Sequence, residues 1–193
     1  GSCTALGIDP VSRNLFTAGA FTGNSYVMGV IRASNLGLVT SVLSDTSAAN
    51  GISPKRIVPD PTRGRMYVPS GGGLRVFDTS LAREVTGSPV AVGPCLSGVA
   101  FDTRRDLIYV FTQDAQQNKQ LNIINAATLQ PVAGSPLALP GPAANFDSPS
   151  KVVYDSVNDN LLWTTGSGSG QTNLHVLNAA TLQLRPFSPV TTG

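Results

Sequence analysis

The stretch GVAFDTRRDLIYVFTQ, residues 98–113, sets two apolar runs on either side of Asp102 and a short polar turn. An apolar run, a carboxylate, three or four turn-forming residues and a second apolar run read as two antiparallel strands joined tightly. Three other segments repeat the layout: LGIDPVSRNLFTAG at 6–19, RIVPDPTRGRMYVPSG at 56–71 and KVVYDSVNDNLLWTTG at 151–166. Their aspartates are Asp9, Asp60 and Asp155. Six and seven residues beyond each aspartate stand apolar pairs: Leu15 and Phe16, Met66 and Tyr67, Ile108 and Tyr109, Leu161 and Leu162.

Each copy continues in the same way. A third run follows at 26–34, 74–80, 121–130 and 174–183, and a fourth at 37–43, 87–92, 134–139 and 187–192. The aspartates are spaced by 51, 42 and 53 residues. Each unit is therefore four short strands, a sheet too small to bury both of its faces alone. Stacking such sheets about an axis buries them, and four-stranded repeats of about 40–50 residues signal the blades of a β-propeller. The fold expected is all-β, a propeller of four four-stranded antiparallel blades. The unit boundaries fall near 3–50, 51–94, 95–145 and 146–193, in a single domain. The repeated aspartate is explained by an Asx turn, in which the carboxylate accepts backbone N–H groups.

Two stretches carry a more specific likeness: DPTRGRMYVPSGGGLRVFDTSLAREVTGSPVAVG, and DTRRDLIYVFTQ followed by LNIINAATLQPVAGSPLALP. They resemble the YVTN/NHL/lactonase-like family of bacterial propellers. Its usual blade reads Asp-Pro, a turn, Leu/Val-Tyr-Val, then Val-Ile/Val-Asp-x-Ala-Thr. The likeness covers all four units, and the IRASNLG turn of the first departs from it most. It implies the fold. It leaves function open, because the family spans lactonases, surface-layer proteins, electron-transfer subunits and ligand binders.

Composition narrows the partners. The 193 residues carry a net charge of +2, with 12% charged and 41% hydrophobic residues, too apolar for disorder. No basic run gives a nucleic-acid footprint, and no apolar run approaches a bilayer span. No signal-peptide pattern is evident, and the leading Gly1-Ser2 has the form of an expression remnant, which leaves flanking segments open. Such a length buries about 70% of the unfolded surface, so folding needs no metal. No cofactor is expected.

A longer period lies over the fourfold one. AANGISPKR at 48–56 matches AANFDSPSK at 143–151, so Asn50 falls on Asn145, Ser53 on Ser148 and Arg56 on Lys151. Cys3 falls on Cys95 and Asp9 on Asp102. A two-blade unit duplicated once gives pseudo-twofold symmetry, with matched residues facing each other across the axis. The resemblance implies that the links into the innermost strand and the second-to-third strand loops share one face. Asn50, Ser53, Arg56, Asn145, Ser148 and Lys151 therefore gather at a channel mouth. There they either cap loops or form a polar ring for a small anion, sugar or carboxylate.

Three states are open to Cys3 and Cys95: a disulfide tying the first blade to the third, two free thiols, or a metal pair. No Cys/His cluster supports the metal. A bond would imply export. The single histidine, His175, lies in a strand and reads as a packed residue. Phe16, Tyr67, Tyr109 and Trp163 read as inter-blade core. No catalytic set and no metal set emerges.

Two assemblies compete: a closed four-bladed ring, favoured by the complete duplication and the length, and a half-ring completed by another copy or by flanking sequence. The leading function is a non-catalytic ligand-binding or protein-interaction module of an exported bacterial protein, at the cell surface or in the periplasm. The alternatives are a lactonase-like hydrolase with its site at the channel mouth, and a structural spacer. Expected partners are a small polar ligand or a protein, with a homodimer if the chain is a half-ring.

Overall fold

The structure is a computed structural model that describes residues 2–20, 26–44, 56–116, 118–139, 151–166 and 172–192. All regular elements among them are strands. Blade 1 holds β1 (Ser2–Ile8), β2 (Asn14–Ala20), β3 (Tyr26–Arg32) and β4 (Gly37–Ser44). Blade 2 holds β5 (Val58–Asp60), β6 (Arg65–Ser70), β7 (Gly73–Asp78) and β8 (Arg83–Glu84). Blade 3 holds β9 (Cys95–Asp102), β10 (Leu107–Gln113), β11 (Lys119–Asn125) and β12 (Leu137–Ala138). Blade 4 holds β13 (Val152–Asp155), β14 (Asn160–Gly166), β15 (Thr172–Asn178), β16 (Gln183–Leu184) and β17 (Val190–Thr192). Each blade is an antiparallel meander in sequence order, as the repeat requires.

The four aspartates do what the sequence predicts. Asp60 accepts the amides of Thr62 and Arg63, Asp102 those of Arg104 and Arg105, and Asp155 those of Val157 and Asn158. Asp9 likewise accepts Ser12 N at 2.8 Å. Four residues beyond each aspartate the backbone turns left-handed, at Arg13, Gly64, Asp106 and Asp159, with φ between 57° and 60°. That single residue reverses the chain into the second strand.

The fourth strand differs from the expected run. In blades 2 to 4 it is broken in two, and a Ser-Pro pair marks the break. In blade 4 both β16 and β17 pair with β15, on either side of residues 185–189. In blade 2, β8 pairs with β7 at one end, and Val90 bridges Leu74 at the other. The break leaves an amide of the third strand without a ladder partner. A serine supplies one: Ser88, Ser135 and Ser188 accept Val76, Ile123 and Val176 N at 2.9–3.0 Å. Burying those amides unpaired would cost about 1–3 kcal/mol each. Blade 1 lacks the device, and its β4 runs unbroken.

The core lies between blades. Phe16, Met28 and Val30 of blade 1 meet Ile57, Met66 and Phe77 of blade 2. Tyr67 and Val76 of blade 2 meet Val99, Phe101 and Ile108 of blade 3. Tyr109, Phe111 and Ile123 of blade 3 meet Val152, Leu161 and Trp163 of blade 4. Phe16, Tyr67 and Tyr109 point toward the following blade, whereas Trp163, one register step on, points back to blade 3.

Among the described residues no apolar cluster joins blade 4 to blade 1. The second strands show the consequence. In β6 and β10 successive residues are buried on both faces. In β14 and β2 burial alternates, one face covered and the other half-open. The closed ring favoured by length is thus not what the described residues form. The four blades make an arc whose two end faces are uncovered.

Candidate functional site

Of the six residues expected at the channel mouth, Asn50, Ser53, Asn145 and Ser148 lie outside the described residues. Arg56 and Lys151 are described, at the entries to the innermost strands of blades 2 and 4. Arg56 is half-buried, and its guanidinium Nη1 donates to the carbonyl of Val152. This bond spans from blade 2 to blade 4, and burial pulls the guanidinium pKa below its usual value. Lys151, the chain neighbour of Val152, is exposed. Of the two cations matched by the duplication, one is anchored on the backbone next to the other in the chain, and the other is open to solvent.

Cys95 opens β9 and is a free, fully buried thiol. Burial pushes its pKa up to about 12, so it is no nucleophile at neutral pH. The Cys3 side chain lies outside the described residues.

His175 stacks flat on Trp163, with ring centroids 5.0 Å apart and planes 6° from parallel. Its Nε2 lies 3.0 Å from Thr165 Oγ1, and burial lowers its pKa. It is packed, as its strand position implies. Among the described residues no group of three metal-ligating side chains forms.

The recurrent carboxylates are committed to structure. Asp60 and Asp102 have no solvent exposure. Besides its turn bonds, Asp60 accepts Tyr67 Oη at 2.8 Å and Arg63 Nη1 at 3.2 Å. Burial and the neighbouring carboxylate both push the Tyr67 hydroxyl pKa up. Glu84 pairs with Arg75 at 2.7 Å on the rim of blade 2. A shallow open groove beside it is lined by Asp78, Arg83, Glu84, Val85 and Thr86.

A set the sequence reading missed joins the blades. Arg63 of blade 2 clasps Asp106 of blade 3 at 2.8 and 3.0 Å, and Arg105 of blade 3 clasps Asp159 of blade 4 at 2.5 and 2.7 Å. Each arginine also holds the turn aspartate of its own blade. The signal was present: the arginine stands three residues after the blade aspartate, and its partner four residues after the next one. Bidentate pairing of this kind fixes orientation as well as distance. A parallel contact runs from the residue five beyond the aspartate to a backbone carbonyl of the next blade: Asn14 to Thr79 at 2.8 Å, and Arg65 to Ala126 at 2.7 Å.

The architecture is that of known β-propellers. The chain is similar to the WD40 repeats of RRP9, with a TM-score of 0.68, 12% identity, and coverage of 95% of this chain and 50% of that one. It is also similar to the Dos1 propeller, with a TM-score of 0.60, 12% identity, and coverage of 99% and 48%. Sqt1 of Saccharomyces cerevisiae gives a TM-score of 0.56, 12% identity, and coverage of 91% and 45%. The chain thus spans about half the length of these three structures. No protein-family model matches it, and no curated protein sequence does. The chain is a four-bladed propeller segment. Its resemblance to the YVTN/NHL/lactonase-like family rests on the residues quoted above.

Proposed function

We propose that this segment is a non-catalytic interaction module that takes an anionic ligand or an acidic stretch of a protein partner at the inner ends of blades 2 and 4. The observation that carries this is the pair Arg56 and Lys151. Arg56 is held by the Val152 carbonyl, one residue along the chain from the exposed Lys151. An anchored guanidinium and an exposed lysine near it in the chain suit a carboxylate or phosphate group that both could reach. The recurrent aspartates support the non-catalytic reading, because turn amides, tyrosine hydroxyls and arginines already occupy them. The exported setting belongs to this reading through the family resemblance.

Calorimetric titration with an acidic peptide, inorganic phosphate and a neutral sugar tests it. The peptide or phosphate binds, the sugar does not, and Lys151→Glu abolishes binding without lowering thermal stability. Equal binding by the Lys151→Glu variant overturns the proposal.

A further inference from the structure

The two end faces of the arc are apolar and matched to each other. The duplication relates blade 4 to blade 2 and blade 1 to blade 3. The junction of blade 2 on blade 3 is therefore the template for blade 4 on a blade 1. Val99 and Phe101 are buried in that template, at 0% and 7% exposure, whereas their counterparts Leu6 and Ile8 stand at 61% and 52%. On the opposing side Val58 is 8% exposed and its counterpart Val153 is 44% exposed. Leu15 and Leu162, which answer to the buried Ile108 and Tyr67, are half-open. Each of these positions keeps an apolar residue with nothing described against it. Leucine and isoleucine side chains gain free energy on leaving water, so open apolar positions of this kind favour a cover.

The polar positions are complementary as well. Where Arg63 of blade 2 reaches Asp106 of blade 3, blade 4 has Asn158 beside Asp155, and blade 1 has the exposed Arg13. At this junction the cation stands on blade 1, and the carboxylate offered to it is the turn aspartate Asp155, the counterpart of Asp60. Asp155 is also the one blade aspartate left partly open, whereas Asp9, Asp60 and Asp102 are fully covered by a following blade. Asn160 occupies the place of Asn14, which donates to the next blade's Thr79 carbonyl. The matching carbonyl in blade 1 is that of Ala33.

We propose that a second copy of this chain covers both faces, blade 4 of each copy packing on blade 1 of the other, to close an eight-bladed ring. Two identical head-to-tail junctions close on a twofold axis, and eight blades is within the usual range for propellers.

Light scattering coupled to size exclusion tests this across micromolar concentrations. The expected mass is twice that of one chain. Leu6→Asp alone and Val153→Asp alone each give single chains, and mixing the two restores pairs, because one junction in the mixture is free of both changes. Arg13→Glu, on the solvent-facing turn, loosens the pair about tenfold, and adding Asn158→Arg restores it. It also serves should the strand variants fail to fold. A single-chain mass throughout, a mass that climbs past two copies, or variants indifferent to these changes overturns the proposal.

Discussion

Arg105 Nη1 and Nη2 meet Asp159 Oδ1 and Oδ2 at 2.7 and 2.5 Å, tying blade 3 to blade 4 by a two-pronged ion pair. The Arg105 guanidinium holds the Asp159 carboxyl down at about 2. The unfolded carboxyl titrates near ~4. The native state therefore binds this proton less readily, and the stability from the pair is complete above ~4 and lost as pH falls through about 2. Urea midpoints measured from pH 6 to pH 2 for the protein and its Asp159→Asn variant check this: the gap between them narrows steadily below about 4. A constant gap contradicts it.

Gly73 sits at φ 124°, where a Cβ would meet the Val90 carbonyl oxygen at 2.4 Å. That oxygen accepts Leu74 N and closes the outer end of blade 2. Gly73→Ala is expected to cost about 2–3 kcal/mol by urea unfolding. Gly134, at φ 83° with nothing within 4 Å of the added Cβ, is the control. Its alanine variant is expected to cost about 1 kcal/mol, from backbone strain alone. Equal losses would show that the clash is relieved without cost.

Cys95 is free, buried and raised to about 12. A thiol reagent added to the native protein at pH 8 is expected to leave it unmodified for as long as the fold persists, and to react at once in denaturant. Mass spectrometry of the labelled peptide is the readout. Rapid native labelling would place Cys95 at the surface. A thiol seen only after reductant is added to denatured protein would mean a bond to Cys3.

His175 has its pKa lowered by burial against Trp163. A depressed histidine binds its proton less readily folded than unfolded, so stability is present above the unfolded value of ~6.5 and falls as pH drops below it. Replacing His175 by Gln is expected to flatten the stability profile between pH 7 and 5. Proton NMR of the ring in the native protein would show a midpoint below the free-imidazole value. A midpoint above it contradicts the burial.

The strand count, the aspartate turns and the inter-blade aromatics were legible because each depends on residues close in sequence. Asp102 and the amides it accepts lie within three residues. The blade-to-blade ion pairs were not legible that way. Arg63 and Asp106 belong to different repeats, and only packing brings them together. The broken outer strands were also hidden, because Ser-Pro followed by apolar residues reads as one strand start, whereas Ser88 marks a break in the middle. Closure was misjudged for a related reason. Leu6 and Ile8 look the same on paper as Val99 and Phe101, and only the structure shows which of them are covered. At the channel mouth Arg56 and Lys151 were found by their place in the duplication, while the Arg56 bond to Val152 required coordinates.

Whether the open faces are each other's partners is settled most directly by a photo-reactive side chain placed at Asn158, at the forward edge of blade 4. Irradiation of a mixture of isotopically light and heavy protein, followed by peptide mass spectrometry, reports which copy and which segment it reaches. Adducts joining light to heavy chains within residues 6–15 of blade 1 are expected. Adducts confined to one chain, or running from blade 4 to blade 4 of another copy, would contradict the head-to-tail ring.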